Sequence, residues 1–207
     1  MSTTAPDHDA GAGTCDVLVI GGGPAGSTAA TLLARRGYRV VLLEKARHPR
    51  FHIGESLLPA NLPLFADLGV ADEIRAIGMI KRGAEFVSPW HGAPQTFAFA
   101  DAWDKSMPYA YQVRRAEFDD ILLRNAGRHG VEVSEGCRVR EVQFAADGVC
   151  VQATHDDGRH AGYRARFLVD ASGRDTFMAS RLKAKHRNPK HNSAAMYAHY
   201  THARRHP

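Results

Sequence analysis

The sequence predicts an α/β fold, with a Rossmann-type core and an inserted antiparallel β-region. Three observations support this prediction. A short apolar run near the start ends in a glycine-rich loop, an alanine-rich helical segment follows the loop, and short strand-like runs are separated by turns farther along the chain. The 207 residues are 44% hydrophobic and 24% charged, which is typical of a globular protein and excludes a disordered or fibrous one.

The first unit has the pattern of two parallel strands joined by a helix. Residues 16–20 form an apolar, β-branched run, and residues 39–43 form a second one. The segment 25–36 between them is predicted to be a helix that stops before Gly37. Its expected apolar face comprises Ala29, Leu32 and Leu33. A βαβ unit of about 30 residues has the length of a right-handed crossover.

The rest of the chain alternates between helical and strand-like segments. Helices are predicted at 56–68, 70–77 and 115–126. Strands are predicted at 83–88, 96–100 and 131–133, then as a meander at 138–144, 149–154 and 163–167, and finally as an apolar run at 168–173. A plain doubly wound fold does not have this order, so we expect an inserted β-region.

The loop after the first strand matches a phosphate-binding pattern. Gly21, Gly23 and Gly26 have the spacing G-x-G-x-x-G, with Pro24 and Ala25 between the last two glycines. The first glycine permits the tight turn, the second lets the backbone approach a pyrophosphate, and the third lets the helix pack on the strand. The alternative is that the glycines only form a turn. The strand before the loop and the helix after it favour dinucleotide binding.

An acidic residue, Glu44, closes the second strand. A carboxylate at this place accepts hydrogen bonds from the ribose hydroxyls of an adenosine. A 2′-phosphate would face that carboxylate, so NADP is disfavoured, whereas NAD and FAD both stay open. Pro24, Ala25 and the distant Arg115 favour FAD, because it is a larger dinucleotide that lies extended across the sheet.

Five segments together resemble one known family. They are G-G-G-P-A-G-S at 21–27, L-L-E-K at 42–45, F-H-I-G-E-S-L-L-P at 51–59, V-R-R-A-E-F-D at 113–119 and V-D-A-S-G-R at 169–174. The chain resembles the flavin-dependent halogenase branch of the FAD-dependent aromatic-hydroxylase superfamily, and G-E-S-L-L-P is the specific segment. The resemblance implies a glutathione-reductase-like flavoprotein fold, FAD as cofactor, a small organic substrate, and an enzyme that uses O₂ and reduced flavin from a separate flavin reductase.

The resemblance also implies which residues hold FAD. Gly21, Gly23, Gly26 and Glu44 would bind the ADP half, with Lys45 beside Glu44.

Four more residues are implied along the rest of the cofactor. Arg115 would reach the diphosphate or the ribityl chain, and the alternative for it is a salt bridge with Asp119 one helical turn later. Val139 would lie by the adenine, Asp170 close to the diphosphate, and Ser56 near the isoalloxazine.

Lys81 is the catalytic residue that the resemblance implies. In halogenases a lysine on the passage from the flavin to the substrate handles hypohalous acid, and residues 81–86 resemble that passage. An ammonium can donate a hydrogen bond to hypohalous acid or form a haloamine. The alternative is a solvated surface lysine beside Arg82.

The resemblance further implies a domain organisation. The expected parts are a disordered start at 1–13, an FAD-binding βαβ core at 14–80, the first substrate-domain strands at 81–112, a return to the FAD domain with the meander at 113–180, and a basic, truncated substrate-domain tail at 181–207. The second FAD motif and the W-x-W-x-I-P signature of halogenases are absent, so we expect a fragment. Two other functions stay open: an FAD-dependent monooxygenase or geranylgeranyl-reductase-like flavoprotein, and a non-catalytic dinucleotide-binding module.

Charge, cysteine content and hydropathy exclude several other classes. The net charge of +5 arises in residues 181–207, which hold seven Lys and Arg and no acidic residue. Stacking aromatics are few there, so no nucleic-acid partner is expected. The three cysteines lack C-x-x-C spacing, which favours a reducing compartment and disfavours a metal site. Without a targeting peptide or a membrane-length apolar run, we expect a cytoplasmic protein.

Overall fold

The computed structural model has the predicted α/β architecture. It describes residues 13–186, 188–190, 194, 196–198 and 200–202. The start expected to be disordered, 1–13, therefore lies outside the described residues except for Gly13, and the tail at 181–207 is described only in part. The elements in chain order are β1 (Gly13–Ile20), α1 (Pro24–Ala34), β2 (Val40–Glu44), α2 (Asn61–Leu68), α3 (Ala71–Ile77), β3 (Met79–Lys81), β4 (Gly83–Phe86), β5 (Gln95–Ala98), β6 (Ala110–Gln112), α4 (Arg115–Arg128), β7 (Glu132–Glu135), β8 (Cys137–Ala145), β9 (Gly148–His155), β10 (His160–Asp170) and α5 (Phe177–Arg181).

A six-stranded sheet forms the centre, in the order β7-β2-β1-β10-β9-β8. The neighbouring strands β7, β2, β1 and β10 pair in parallel. The sheet continues with β9, which is antiparallel to β10, and with β8, which is antiparallel to β9. The carboxyl ends of the four parallel strands therefore meet at one edge, which is where open α/β sheets form their ligand crevices.

The central parallel strands β1 and β2 are covered on both faces, and their side chains alternate between two layers. Val19 and Leu42 belong to the cluster that packs under α1 and α4. Leu18 and Leu43 belong to the cluster that packs against the hairpin of β8 and β9. Burial on both faces explains why these strands are continuous apolar runs.

The strand β10 unites two runs that the sequence separates. Residues 163–167 and 168–173 are predicted as different strands, but β10 runs unbroken through both up to Asp170. Its first part pairs with β9, as at Ala165 opposite Val149, and the stretch from Tyr163 to Asp170 pairs with β1. The polarity pattern changes along the strand because only its first half has an antiparallel neighbour.

The inserted antiparallel region lies between α3 and α4. It contains two small sheets, one of β3 and β6 and the other of β4 and β5. The sequence predicts β4 and β5 but misses β3 and β6, since strands of three residues are too short to show alternation.

The second helix is shorter than predicted. The pattern predicts a helix from residue 56, whereas α2 begins at Asn61. The backbone before it follows β6: the N–H of Leu57 donates to the carbonyl of Tyr111, and the N–H of Val113 donates to the carbonyl of Glu55, each over 2.9 Å. Pairing with a strand therefore replaces the first helical turns.

The first helix buries a different face from the predicted one. The buried positions of α1 are Gly26, Ser27, Ala30 and Thr31, while Ala29, Leu32 and Leu33 are half-buried. Small residues at these positions let the helix lie close to the parallel strands and α4. The close approach of α1 to its neighbours determines which of its faces is buried. Apolar periodicity alone does not reveal this.

Candidate functional site

The backbone itself requires two of the three predicted glycines. Gly21 has a φ of +103°, and a Cβ there would lie 2.5 Å from the carbonyl oxygen of Ala171. A Cβ on Gly26 would lie 1.9 Å from the carbonyl oxygen of Gly21. These glycines therefore hold the turn after β1 tightly between α1 and the segment after β10.

Gly23 differs from the other two, since the nearest atom to a Cβ there would be Nη2 of Arg50, at 3.6 Å. Its φ of −73° is open to any residue, and it is the N-cap of α1. Nothing in the described chain thus demands a glycine at this position. A Cβ would instead fill the space in front of the helix, where a ligand would approach the backbone.

The N-terminus of α1 faces this space with free donors. Pro24 has no N–H, and the N–H groups of Ala25 and Gly26 have no acceptor within the helix because they lie in its first turn. The first turn holds no acidic residue. Such an end attracts an anion through its amides and its dipole, as a pyrophosphate site requires.

Glu44 lies beneath the glycine loop and is 4% exposed. Its Oε2 accepts a hydrogen bond from the N–H of Gly22 over 2.6 Å, and its Oε1 accepts one from the N–H of Ala46 over 2.8 Å. Each carboxylate oxygen has a second lone pair. Glu44 can therefore hold the loop and still accept a hydrogen bond from a ligand hydroxyl.

A cleft with a volume of about 620 Å³ opens at the carboxyl edge of the sheet. Its size lies in the range of small-molecule and cofactor sites. The predicted site residues that line it are Gly21, Gly23, Pro24, Ala25, Glu44, Lys45, Arg115 and Val139. The structure therefore brings together eight predicted residues from the loop after β1, from α1, from the end of β2 and the residue after it, and from α4 and β8.

The remaining predicted residues do not line this cleft. Gly26 lies below the loop. The carboxylate of Asp170 accepts hydrogen bonds from the N–H of Ser172 over 3.0 Å and from the N–H of Met178 over 2.7 Å, so it orders the turn between β10 and α5. Ser56 and Lys81 lie together outside the cleft, in the inserted region.

Lys81 has a specific partner. Its Nζ donates a hydrogen bond to Oγ of Ser56 over 2.5 Å and lies 5.1 Å from the centre of the Phe99 ring. The two residues with predicted roles near the reacting groups thus meet, although 25 positions separate them. This hydrogen bond is exposed, so the predicted role of Lys81 and the alternative of a solvated surface lysine beside Arg82 both stay open.

Arg115 forms a salt bridge with Asp119, which is the alternative role predicted for it from the sequence. Its Nε and Nη2 donate to the two carboxylate oxygens of Asp119 over 2.7 and 3.0 Å, and its Nη1 donates to the carbonyl of Ile53 over 3.0 Å. Arg115 therefore links α4 to the loop that follows β2. It also lines the cleft.

Sequence reasoning missed Arg50. Its Nη1 lies 3.3 Å from Oδ2 of Asp119, and its Nε lies 4.0 Å from Oε1 of Glu44. Asp119 is fully buried and so has two arginines beside its carboxylate. A usable signal was present, since Asp119 falls next to Phe118 on the apolar side of a helix, where a carboxylate needs cationic partners.

The charged side chains that line the cleft are mainly cationic. Those of positive charge are Lys45, Arg50, Arg115, Arg138 and Arg174, and those of negative charge are Glu44 and Asp175. Lys45 contacts Asp175 and holds the pKa of that carboxyl below its usual range. The excess of positive charge around an amide-lined helix end fits a dinucleotide diphosphate.

Two cysteines near the sheet are poor nucleophiles. Burial raises the pKa of the Cys15 thiol to about 11 and also raises the pKa of Cys137, which lines the cleft. No group of three or more His, Cys, Asp or Glu among the described residues is placed to hold a metal ion. No helix in the described part of the chain is both long and apolar enough to cross a membrane.

Comparison with known proteins gives a consistent result. The family model of the FAD binding domain matches residues 14–203. The tryptophan 2-halogenase of Chondromyces crocatus is 42% identical over 167 residues, which are 79% of this chain and 31% of that protein. The expected resemblance to flavin-dependent halogenases and the expected cofactor, FAD, are thereby confirmed.

Two solved structures share the fold. The myxobacterial chondrochloren halogenase is 46% identical, with a TM-score of 0.74 over 80% of this chain and 38% of that one. A flavoprotein/dehydrogenase from Cytophaga hutchinsonii is 35% identical, with a TM-score of 0.76 over 81% of this chain and 41% of that one. The chain spans well under half the length of these relatives and matches their N-terminal part.

Proposed function

The chain belongs to the FAD binding domain family, and from that premise we propose that it forms the FAD-holding part of a flavin-dependent halogenase. The open space at Gly23, in front of the amides of α1 and beside Arg50, is the observation that carries this proposal. Bound there in reduced form, FAD would supply the electrons that activate O₂. The residues of this chain would bind FAD and orient it.

The residues divide into groups along the cleft. The loop from Gly21 to Gly26 and the first turn of α1 would hold the diphosphate. Glu44 would accept hydrogen bonds from the adenosine ribose, with Lys45 and Val139 at the same end. This order follows from the carboxyl edge of the sheet, which presents the loop after β1 beside the end of β2.

Two predicted residues, Arg115 and Asp170, act less directly in this proposal. Arg115 faces the cleft and also fixes the loop at Ile53. Asp170 orders the turn after β10, which borders the same cleft.

Lys81 is the proposed catalytic residue. Its ammonium has three N–H donors, of which one is used on Ser56. The others can donate hydrogen bonds to hypohalous acid and direct it toward the substrate.

The domain organisation belongs to the same proposal. Residues 14–80 and 113–180 form the FAD domain, and 81–112 form the first strands on the substrate side, with 181–207 leading away from it. A small organic molecule is the proposed substrate, a separate flavin reductase the source of reduced flavin, and the cytoplasm the location.

The test uses the complete product of the gene that encodes these residues. It is supplied with reduced FAD, O₂ and chloride or bromide, together with tryptophan and a set of phenols, and the products are analysed by mass spectrometry. A halogenated product is expected. An exclusively hydroxylated product would contradict halogenation.

The second candidate is a flavoprotein that does not halogenate. The similarity to the flavoprotein/dehydrogenase from Cytophaga hutchinsonii, at 35% identity, favours it. In this case the protein binds FAD equally well, but chloride and bromide change neither the products nor the rate of oxygen uptake.

A further inference from the structure

Ser56 and Lys81 are brought together by the strand that runs between them. Ser56 forms an isolated antiparallel bridge with Gln112, and Lys81 lies opposite Ala110 in the pairing of β3 with β6. Both contacts are thus made to β6, but on its two sides. The inserted region therefore has a three-stranded arrangement at this point, with β6 in the middle.

The register places both side chains on one face of this arrangement. Ala110 and Gln112 are two positions apart on a strand, so their side chains point to the same side. Residues directly opposite each other in antiparallel pairs also share a face. Lys81 and Ser56 consequently project from the face of Ala110 and Gln112, which lets the lysine side chain reach Ser56.

The backbone of Ser56 is held from both neighbours. Glu55 accepts a hydrogen bond from the N–H of Val113, and Leu57 donates one to the carbonyl of Tyr111. Leu57 and Tyr111 are also buried in the cluster under α2 and α3. The hydroxyl of Ser56 is therefore attached to a fixed part of the fold.

The ammonium of Lys81 is confined between two groups. The hydroxyl oxygen of Ser56 lies 2.5 Å from Nζ, and the ring centre of Phe99 lies 5.1 Å from it. A lysine side chain is long and flexible, so an unpartnered ammonium would sample many positions. The two contacts come from different segments, and together they favour one position of the ammonium.

We propose that Ser56 is a positioning residue for Lys81: its hydroxyl accepts one N–H of the ammonium and thereby aims the other two. This inference rests on the halogenase function proposed above and adds a role for Ser56 that does not require contact with the flavin. The hydroxyl supplies orientation, because a hydrogen bond at an exposed site contributes little to stability.

The first measurement concerns the hydrogen bond itself and needs neither flavin nor halide. In the 207-residue chain labelled with ¹⁵N, the Nζ protons of Lys81 should exchange with water more slowly than those of Lys105, an exposed lysine. Lys81→Arg assigns the signal by removing it. Ser56→Ala should accelerate this exchange at least fivefold, and Ser56→Thr, which keeps the hydroxyl, should preserve the wild-type rate.

The second measurement concerns the reaction in the complete gene product. Ser56→Ala should form at least tenfold less halogenated product per flavin consumed than wild type, a ratio that corrects for any change in FAD binding. Ser56→Thr should restore most of the product. The matched control is Ser106→Ala, which removes a serine hydroxyl that binds Asp104 in the same inserted region.

The outcomes separate this inference from the function on which it rests. If the wild-type protein forms no halogenated product, the proposed function is wrong and the role of Ser56 in it falls as well. If wild type halogenates and Ser56→Ala does so at an equal yield, only the positioning role is wrong. An unchanged exchange rate of the Lys81 protons in Ser56→Ala would also overturn it.

Discussion

The carboxylate of Glu44 accepts the N–H of Gly22 over 2.6 Å, which joins the end of β2 to the glycine loop after β1. The residue expected to recognise the ribose is therefore also a structural support for the loop expected to hold the diphosphate. Glu44 is nearly fully buried, so its loss leaves the N–H groups of Gly22 and Ala46 without this acceptor.

Replacement of Glu44 by alanine should weaken both FAD binding and the fold. We expect FAD affinity to fall by about 1–3 kcal/mol through the loss of charge-assisted hydrogen bonds, together with a lower melting temperature. Titration of the apo-protein with FAD, NAD and NADP measures the first effect. Glu141→Ala, an exposed carboxylate on β8, is the control, and tighter binding of NADP than of FAD by wild type would contradict the assignment.

The glycines of the loop should separate into two classes. Gly23→Val should abolish FAD binding and leave the melting temperature nearly unchanged, because only the ligand space is filled. Gly26→Ala should destabilise the apo-protein, since its Cβ would overlap the carbonyl of Gly21. Yellow colour retained by purified Gly23→Val would count against the first expectation.

A third glycine provides the matched control for these substitutions. Gly127 lies within α4, and nothing lies within 4 Å of a Cβ built there. Gly127→Ala should leave FAD binding unchanged and stabilise the protein by about 0.5–1 kcal/mol through the higher helix propensity of alanine.

The predictions for Glu44 and for the loop glycines concern residues that the sequence alone identifies. Gly21, Gly26 and Glu44 are predicted from sequence because a strand, a loop and a helix follow one another within one βαβ unit. The local pattern predicts that they lie near one another, and in the structure Glu44 contacts the loop and lines the same cleft.

The contacts that the sequence does not reveal join distant segments. Arg50 reaches Asp119 across 69 positions, and Ser56 meets Lys81 only because both flank β6, a strand of three residues. Periodicity indicates that Asp119 needs a cationic partner, but neither periodicity nor a motif identifies which distant residue supplies it. Tertiary packing brings them together, so only the structure reveals them.

Arg50 should contribute to FAD binding as a cation in the cleft. Arg50→Met keeps much of the side-chain volume and removes the charge, while Arg115 continues to pair with the buried Asp119. We expect FAD affinity to fall about tenfold, or about 1.4 kcal/mol. Arg39→Met removes an exposed arginine outside the cleft and serves as the control, and equal FAD affinity of both variants would show that Arg50 does not contact the cofactor.

His48 should make the stability of the protein depend on pH. Its side chain is fully buried, and in the described part of the chain neither ring nitrogen makes a hydrogen bond. Burial, followed by the charge of Arg50, lowers the pKa of His48 below its ordinary value of 6.5. His48 therefore binds a proton more readily in the unfolded chain than in the folded one. Its contribution to the free energy of unfolding is complete above pH 6.5 and is lost as the pH falls from 6.5 toward the folded-state pKa.

The measurement is the melting temperature between pH 7.5 and pH 5.5. Wild type should lose stability over this range, and His48→Leu should lose distinctly less. His160→Leu, which removes an exposed histidine at the start of β10, should behave like wild type. Equal pH dependence of wild type and His48→Leu would show that another group is responsible.

Loss of Lys81 should separate oxygen use from halogenation. The ammonium acts after the flavin has reacted, so Lys81→Ala in the complete gene product should take up oxygen and consume reduced flavin at the wild-type rate. Halogenated product should fall by roughly 10²-fold or more, the usual effect of removing a group that acts in the transition state. Lys81→Arg should not restore it, because a planar guanidinium has neither the point-like geometry of an ammonium nor its ability to deprotonate.

The measurement is product analysis by mass spectrometry with chloride and with bromide, alongside oxygen uptake. Arg82→Ala, which removes the neighbouring charge, is the control and should halogenate normally. If Lys81→Ala halogenates at the wild-type rate, its catalytic role is wrong; if it also stops consuming flavin, Lys81 supports the flavin site itself.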